Sequence, residues 1–433
     1  MNIALFADNF YPQVNGVVTA IHNLAEGLAR RGHKVLIIAP KYRKVVYPSF
    51  HKNVEILTVR GGPAIFYAGL KITVPFSKKI LKAVKDRTID LFHFHAPMGL
   101  GFQAILLSKL LQKPLVGTFH TFFFESEYLK HAKMDNRLFK VAAMQFVRSY
   151  YNACDLISTP TVSTKRTLEE NDCTPPIVVI SNGINPALFP PAHLHMSGKI
   201  IDTSHPSALF VGRIAYEKNL LALVDIFEKV LTDVPQARLY IIGGGPQTVQ
   251  LKRYVEKKRL QENIRLVGEI PHAELVKSGA YQTADVFVSA SKTENQPVTV
   301  LEAQCNGLPC VGMDAKGIPD MIANDRNGFV VPKDDIEAFA GRIVQLFRDK
   351  ELRARMKKES LAYAHQHRLD SVIDEWEKAY GHVVQNYKPK KRFERLRAAP
   401  ARAKERLHRA RKSARAMLDA RSARRKARRV GKR

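Results

Sequence analysis

Ser291-Lys292-Thr293-Glu294-Asn295-Gln296-Pro297-Val298-Thr299-Val300-Leu301-Glu302 joins a strand to a helix, and the chemistry of this chain turns on that joint. Ala284 to Ala290 before it is apolar and β-branched (Val286, Phe287, Val288), as a buried strand is. Pro297 suits the first helical position, where a missing N–H costs nothing. The next amides, Val298 and Thr299, then have no carbonyl partner inside the helix and stand at the positive end of its dipole, a ready site for phosphate. Glu294 precedes that anion site. Glu302 lies about a turn and a half inside the helix and is expected to face the same crevice. One carboxylate can accept hydrogen bonds from hydroxyls beside a phosphate, so the arrangement reads as a sugar-nucleotide site. A polar loop ahead of an ordinary helix carries the same letters.

Outward from this joint, strand-like and helix-like segments alternate. Strands are expected at 2–7, 34–39, 54–58, 91–95, 115–118, 156–159 and 178–181, with helices at 17–31 and 102–111 among those between them. A second series follows at 208–211, 238–242, 264–267, 286–290, 310–313 and 328–331. Such alternation builds parallel sheets from β-α-β units. The expected fold class is therefore α/β, with two doubly wound domains whose ligands bind beyond the carboxyl ends of the strands. Asn182-Gly183-Ile184-Asn185-Pro186 is turn chemistry, which places the domains at 1–185 and 186–368.

At 433 residues and 45% hydrophobic content, the chain has room for two full cores. No run of eighteen apolar residues marks a membrane span. Met1–Asp8 reads as a first strand rather than a signal peptide. Four cysteines, Cys154, Cys173, Cys305 and Cys310, are scattered and suggest neither a disulfide frame nor a metal knuckle, so a cytoplasmic setting is expected. The net charge is +29, and residues 388–433 hold 21 of the 69 basic residues against 3 of the 40 acidic ones. In that tail Ala403, Leu407, Ala410, Ala414 and Met417 form a narrow apolar stripe flanked by Arg and Lys. It reads as a basic amphipathic helix for an anionic membrane surface. A disordered cationic tail that meets RNA is the other reading.

Four further constellations lie at expected strand ends or beside them. Asn15-Gly16-Val17-Val18 opens the first helix, where Gly16 permits close backbone approach and the amides of Val17 and Val18 are expected to be unpaired. Gly243-Gly244-Gly245 is a second glycine-rich loop, and neither carries the dinucleotide fingerprint. Arg213 and Lys218 follow a strand end at Gly212. A planar fork and a compact charge there suit a departing diphosphate, and a solvated surface pair is the alternative. His120 ends another strand and would hold a sugar hydroxyl or the acceptor, or serve structure alone, as His93 and His95 are expected to do. Phe122-Phe123-Phe124 beside Lys130, Lys133, Arg137 and Lys140 suits a membrane interface, a hydrophobic acceptor groove or core.

Taken together, residues 1–387 resemble the family 4 retaining glycosyltransferases of GT-B fold, which carry a glutamate, seven residues and a second glutamate. The run Phe92-His-Phe-His-Ala-Pro-Met-Gly-Leu-Gly101 with Gly117-Thr-Phe-His-Thr121 is most similar to the bacterial branch that glucosylates diacylglycerol. The phosphatidylinositol mannosyltransferases are more distant relatives. The resemblance implies that Asn15 and Gly16 meet the donor diphosphate and acceptor, and that His120 lies at the reaction centre. Arg213 and Lys218 would bind the diphosphate, Glu294 the sugar hydroxyls and Glu302 the ribose. Gly245, Asn295, Gln296, Pro297, Val298 and Thr299 would complete the donor site. It also implies a last helix, 369–387 around Trp376 and Tyr380, that crosses back to the first domain. One departure stands out: most of the family has Phe-Gly where this chain has Asn295-Gln296, which alters the expected floor of the sugar pocket.

The expectation is thus a retaining transferase that moves a hexose, UDP-glucose being the first choice of donor, to a lipid such as 1,2-diacylglycerol. No metal and no other cofactor are expected, since no Asp-x-Asp motif occurs and cations stand in its place. The enzyme is expected at the inner face of the cell membrane, with no specific nucleic-acid partner. A phosphoinositide or soluble acceptor is the alternative. A retaining glycoside hydrolase needs carboxyl groups about 5 Å apart and would leave the phosphate sites without purpose. A nucleic-acid binder driven by the tail would leave the whole cleft unexplained.

Overall fold

Seven parallel strands form the first sheet and six the second, and both reverse direction of growth beside their first strand. The computed structural model describes residues 1–13, 15–43, 45–63, 71–73, 76–121, 137–189 and 200–389. In the first sheet β1 (Asn2–Phe6), β2 (Lys34–Pro40), β3 (Val54–Val59), β6 (Leu91–Phe94), β7 (Leu115–Thr118), β8 (Leu156–Thr159) and β9 (Ile177–Val179) stand in the order β3-β2-β1-β6-β7-β8-β9. Between β3 and β6 a short antiparallel pair intervenes, β4 (Gly61–Pro63) and β5 (Lys71–Thr73). The second sheet holds β10 (Ser207–Val211), β11 (Arg238–Ile242), β12 (Ile264–Gly268), β13 (Val286–Ser289), β14 (Cys310–Met313) and β15 (Gly328–Val331), in the order β12-β11-β10-β13-β14-β15. Every expected strand forms, most with ends shifted by a residue or two. The β4–β5 pair was not expected, because Gly61-Gly62-Pro63 has no strand propensity of its own.

The strands read as unbroken apolar runs because helices cover both faces of each sheet. Ile3, Ala4, Leu5 and Phe6 alternate between the two cores that sandwich the first sheet, and all are fully buried. Strand order reverses between β1 and β6 and between β10 and β13. These are the switch points at which a crevice opens beyond the strand ends.

The chain passes twice between the sheets, and the two passages lie side by side. Ile184 N donates to His367 O at 2.9 Å, and Leu369 N donates back to Ile184 O at 2.8 Å. The helix Leu369–Asn386 then returns to the first domain and lies against the helix Gly16–Arg30. Gly27 makes this approach possible: a Cβ there would fall 2.4 Å from Ile373 Cγ1. Trp376, Tyr380 and Val383 join Ile3, Leu5 and Val18 in one core. Outside that core Arg31 Nη1 reaches Glu377 at 2.6 Å, and His33 Nε2 lies 2.7 Å from the other Glu377 oxygen.

Candidate active site

The loop after β13 and the loop after β10 meet through an ion pair. Lys218, in the single turn Tyr216–Lys218, donates directly to the Glu294 carboxylate. Both side chains are mostly buried, 20% and 17% exposed. The cation expected at the diphosphate and the carboxylate expected at the sugar are therefore neighbours. Pro297 is the cap of the helix Val298–Cys305 rather than its first residue, with φ −65° and ψ 120°. Its ring fixes φ in either role, and the extended ψ is what starts the helix one residue later. Val298 and Thr299 remain the leading amides, and their N–H groups precede the first acceptor of the helix.

Two glycine loops shape the wall beside Arg213. Gly243 has φ +142° and Gly245 φ +154°; Cβ atoms there would fall 1.9 Å from Gly212 O and 2.4 Å from Ile214 O. Only glycine lets the loop after β11 lie so close to the loop after β10. The Gly245 amide is occupied by Thr248 Oγ1 at 3.0 Å.

The start of the first helix differs from expectation. The amides of Val17 and Val18 are not unpaired: both donate to Asn15 Oδ1, at 3.1 Å each, and Asn15 Nδ2 donates to Asn9 Oδ1. Asparagine is a preferred cap because its side-chain oxygen reaches these two donors, so a phosphate here would compete with Asn15. Gly16 faces the other domain, where a Cβ would stand 3.5 Å from Val298 Cγ2. The starts of the two helices thus oppose one another across the crevice.

Asn295 and Gln296, expected as the floor of a sugar pocket, fasten the two domains together. Asn295 Oδ1 accepts from the hydroxyls of Thr161 and Thr164, each at 2.6 Å, and its Nδ2 donates to Phe119 O at 3.0 Å. The residue is 4% exposed. Gln296 Oε1 accepts from Asn182 N at 2.7 Å and from Ser181 Oγ at 3.1 Å, and Asn182 Nδ2 donates to Gln296 O. Nearby, Asp320 Oδ2 accepts from Ser163 N at 2.8 Å. All these acceptors and donors outside residues 295–320 belong to the first domain or its last loop.

Glu302 does not open onto the crevice as expected. Its side chain is 3% exposed. His272 Nε2 lies 2.6 Å from Oε1, and Tyr281 Oη donates to Oε2 at 2.5 Å. That hydrogen bond raises the His272 pKa above its ordinary value, which favours an ion pair. A ribose hydroxyl reaches this buried carboxylate only if His272 or Tyr281 makes way or shares it. Neither His272 nor Tyr281 carries a sequence signal, since each lies at least twenty residues from Glu302.

His120 stands beyond β7, part-buried, with its Nε2 3.0 Å from His95 Nδ1. His93 lies beneath, its ring 4.1 Å from that of His95. It is held by Tyr380 Oη at 2.7 Å on Nδ1 and Thr118 Oγ1 at 2.6 Å on Nε2. Burial lowers the pKa of all three, that of His120 to about 4. Asp8, beyond β1, accepts from the Leu100 and Gly101 amides and is fully buried, which pushes its carboxyl up to about 7. Phe122, Phe123, Phe124, Lys130 and Lys133 lie outside the described residues, and so does the tail beyond residue 389. Among the described residues no helix is long and apolar enough to cross a membrane.

Two facing Rossmann-like domains with a returning last helix, and in the second an anion-ready helix start and a mostly buried Lys–Glu pair beyond its strand ends, define a glycosyltransferase of GT-B fold. The model described as Glycosyltransferase Family 4 matches residues 14–188, and that described as Glycosyl transferases group 1 matches residues 195–362. The chain belongs to this family. It is 26% identical over 336 residues to an alpha-monoglucosyldiacylglycerol synthase of Streptococcus pneumoniae, covering 76% of this chain and 74% of that protein. The enzyme of the same name from Acholeplasma laidlawii is 27% identical over 349 residues, 77% of this chain and 86% of its own. A GDP-mannose-dependent alpha-mannosyltransferase of Mycolicibacterium smegmatis is 27% identical over 344 residues, 78% of this chain and 86% of its own. Among solved structures, the sucrose-phosphate synthase of Thermosynechococcus elongatus superposes with a TM-score of 0.71 at 17% identity, over 88% of this chain and 99% of that one.

Proposed function

We propose that this glycosyltransferase moves a hexose, glucose by preference, from a UDP-sugar to a membrane lipid such as 1,2-diacylglycerol, with retention of anomeric configuration. The observation that carries this reading is the Lys218–Glu294 pair at the foot of the helix Val298–Cys305. A donor whose diphosphate takes Lys218, Arg213 and the leading helix amides frees the Glu294 carboxylate for sugar hydroxyls. As the glycosidic bond breaks, charge grows on the diphosphate, and fixed cations and helix amides stabilise it without reorganising. No metal is needed for that step. The relatives named as monoglucosyldiacylglycerol synthases support the lipid acceptor and glucose. The mannosyltransferase relative supports a second reading, transfer of mannose from GDP-mannose.

The enzyme works at the inner face of the cell membrane, held there by the cationic residues 388–433. Purified protein with vesicles containing 1,2-diacylglycerol is offered UDP-glucose, UDP-galactose, UDP-N-acetylglucosamine and GDP-mannose in turn. The expected result is UDP release with UDP-glucose and a lipid heavier by one hexose. Release of GDP from GDP-mannose, with none of UDP, would move the assignment to the second reading. Transfer to a soluble acceptor but never to lipid would overturn the acceptor.

A further inference from the structure

His95 and His120 stand beyond the neighbouring strands β6 and β7, with rings stacked 5.3 Å apart and 24° from parallel. His95 Nδ1 and His120 Nε2 are 3.0 Å apart. Two ring nitrogens at hydrogen-bond distance share one proton: one nitrogen carries it and the other is bare. Burial keeps both rings neutral, so each ring holds one proton in all. The tautomers are therefore locked in register. If His95 carries its proton on Nδ1, His120 accepts at Nε2 and must carry its own on Nδ1. If His120 donates from Nε2, both rings are protonated on Nε2, and His120 Nδ1 is bare.

What stands at His95 Nε2 decides between the two. That nitrogen is buried and has no hydrogen-bond partner among the described residues, in a side chain that belongs to a residue 4% exposed. A buried N–H without an acceptor is rarer than a buried acceptor left unused. The bare form of His95 Nε2 is thus the cheaper one, and it puts both protons on Nδ1. Among the described residues His120 bonds through Nε2 alone, and its side chain is only partly buried and lines the small cavity beside His95.

We propose that His95 is a positioning residue that fixes His120 in the Nδ1–H tautomer, so that His120 offers an N–H donor to an oxygen of the bound substrate. The assignment of a substrate to that donor rests on the glycosyltransferase reading above; the tautomer itself does not. His93 supports the device from below. Both its nitrogens are occupied, by Tyr380 and Thr118, and Thr118 Oγ1 continues to Ser158 Oγ at 2.5 Å. Its ring lies 4.1 Å from that of His95, tilted by 39°, and limits the movement of that ring.

The test uses the full-length protein with ¹⁵N-labelled histidine rings and long-range ¹H–¹⁵N correlation near pH 7. Signals of the two residues are assigned through His95→Asn and His120→Gln. The expected spectrum has both rings neutral and protonated on Nδ1. His95→Phe keeps a stacking ring but removes the donor. It should release His120 to the Nε2–H form or a mixture, and lower kcat about 10- to 100-fold, the range seen when the group orienting a metal-bound imidazole is removed. Donor KM should move much less than kcat. His95→Asn returns an N–H near the position of Nδ1 and should restore both the tautomer and most of kcat. A cavity of ≈ 20 Å³, room for one water, lies beside His95 and His120. A water there that accepts from His95 Nε2 would reverse both rings, and His120 protonated on Nε2 in the wild type overturns the proposal. So does a His95→Phe variant with unchanged tautomer and kcat. If His95→Phe does not fold, the wild-type spectrum and the asparagine variant still decide. A protein that transfers no sugar yet shows the locked Nδ1–H pair would sink the functional reading and leave the tautomer assignment standing.

Discussion

Asn295 Nδ2 donates to the carbonyl of Phe119 at 3.0 Å, across a domain boundary and 176 residues of chain. Phe119 is the residue before His120, and Asn295 is the residue after Glu294. One buried amide therefore sets the distance between the two side chains that the site brings from opposite domains. The hydroxyls of Thr161 and Thr164 on its other end keep the amide from turning over.

Replacing this amide should separate the domains before it unfolds either one. Asn295→Ala removes three hydrogen bonds across the boundary, leaving Thr161 and Thr164 bonded to each other and the Phe119 carbonyl with Thr159 Oγ1 alone, and each lost hydrogen bond is worth about 0.5–1.5 kcal/mol. The expected outcome is a weakening of closure by roughly 2–4 kcal/mol, seen as a larger radius of gyration by small-angle scattering and a lower kcat/KM. An Asn295→Ala protein as compact as the wild type, at undiminished kcat/KM, would show that other contacts hold the domains.

Glu294→Ala should abolish transfer in a folded protein. Charged hydrogen bonds contribute roughly 1.5–3 kcal/mol each, so losing two amounts to about two to four orders of magnitude in rate. Lys218→Ala should weaken donor binding and slow transfer as well. Because the two side chains touch, their effects should fall short of additive in the double variant. Strictly additive losses in kcat/KM would mean that the pair does not act as a unit.

Activity should persist in excess chelator. Arg213, Lys218 and the start of the helix Val298–Cys305 are proposed to carry the charge that a divalent metal carries elsewhere. Loss of transfer in EDTA, restored by magnesium or manganese, is the result that contradicts this.

Acid should destabilise the fold through its buried histidines. In the unfolded chain they take up protons near pH 6.5, whereas in the fold burial holds His93 and His95 well below that and His120 to about 4. Between these values the unfolded state binds more protons, so stability falls as pH falls. Asp8 works against this. Its folded pKa of about 7 lies above the ordinary carboxylate value, so the fold gains stability from it as pH falls. His272, raised by Glu302, acts in the same direction as Asp8, but the three histidines lowered by burial outnumber these two groups, and urea midpoints should drop on going from about pH 7 to about pH 5. Asp8→Asn should steepen that drop. Midpoints that rise toward acid would contradict the assignment.

Removing residues 388–433 should abolish salt-sensitive binding to anionic vesicles. Each basic residue near such a surface contributes on the order of 1 kcal/mol. Co-sedimentation of the full and shortened chains at low and high salt decides the matter, and equal binding by both would turn attention to Phe122, Phe123 and Phe124.

The sequence by itself determined the two sheets. Burial on both faces forces unbroken runs such as Val286-Phe287-Val288, and short βα loops with glycine or proline mark where each run stops, so local letters are enough. It also marked Glu294, Arg213, Lys218 and His120, because residues at strand ends are placed by the strands themselves. Only tertiary structure decided what these residues touch. Lys218 and Glu294 are 76 positions apart, Thr161 and Asn295 134, and His93 and Tyr380 287. A spacing rule within one strand-to-helix joint cannot see such pairs. Glu302 shows the limit best. Its place in the helix was legible, but the His272 and Tyr281 side chains that close over it come from elements packed there by the sheet. The departure at Asn295-Gln296 was visible as an oddity. Its use as a fastener followed only once Phe119, Thr161 and Ser181 stood opposite, since a hydrogen bond is defined by distance and angle and not by order along the chain.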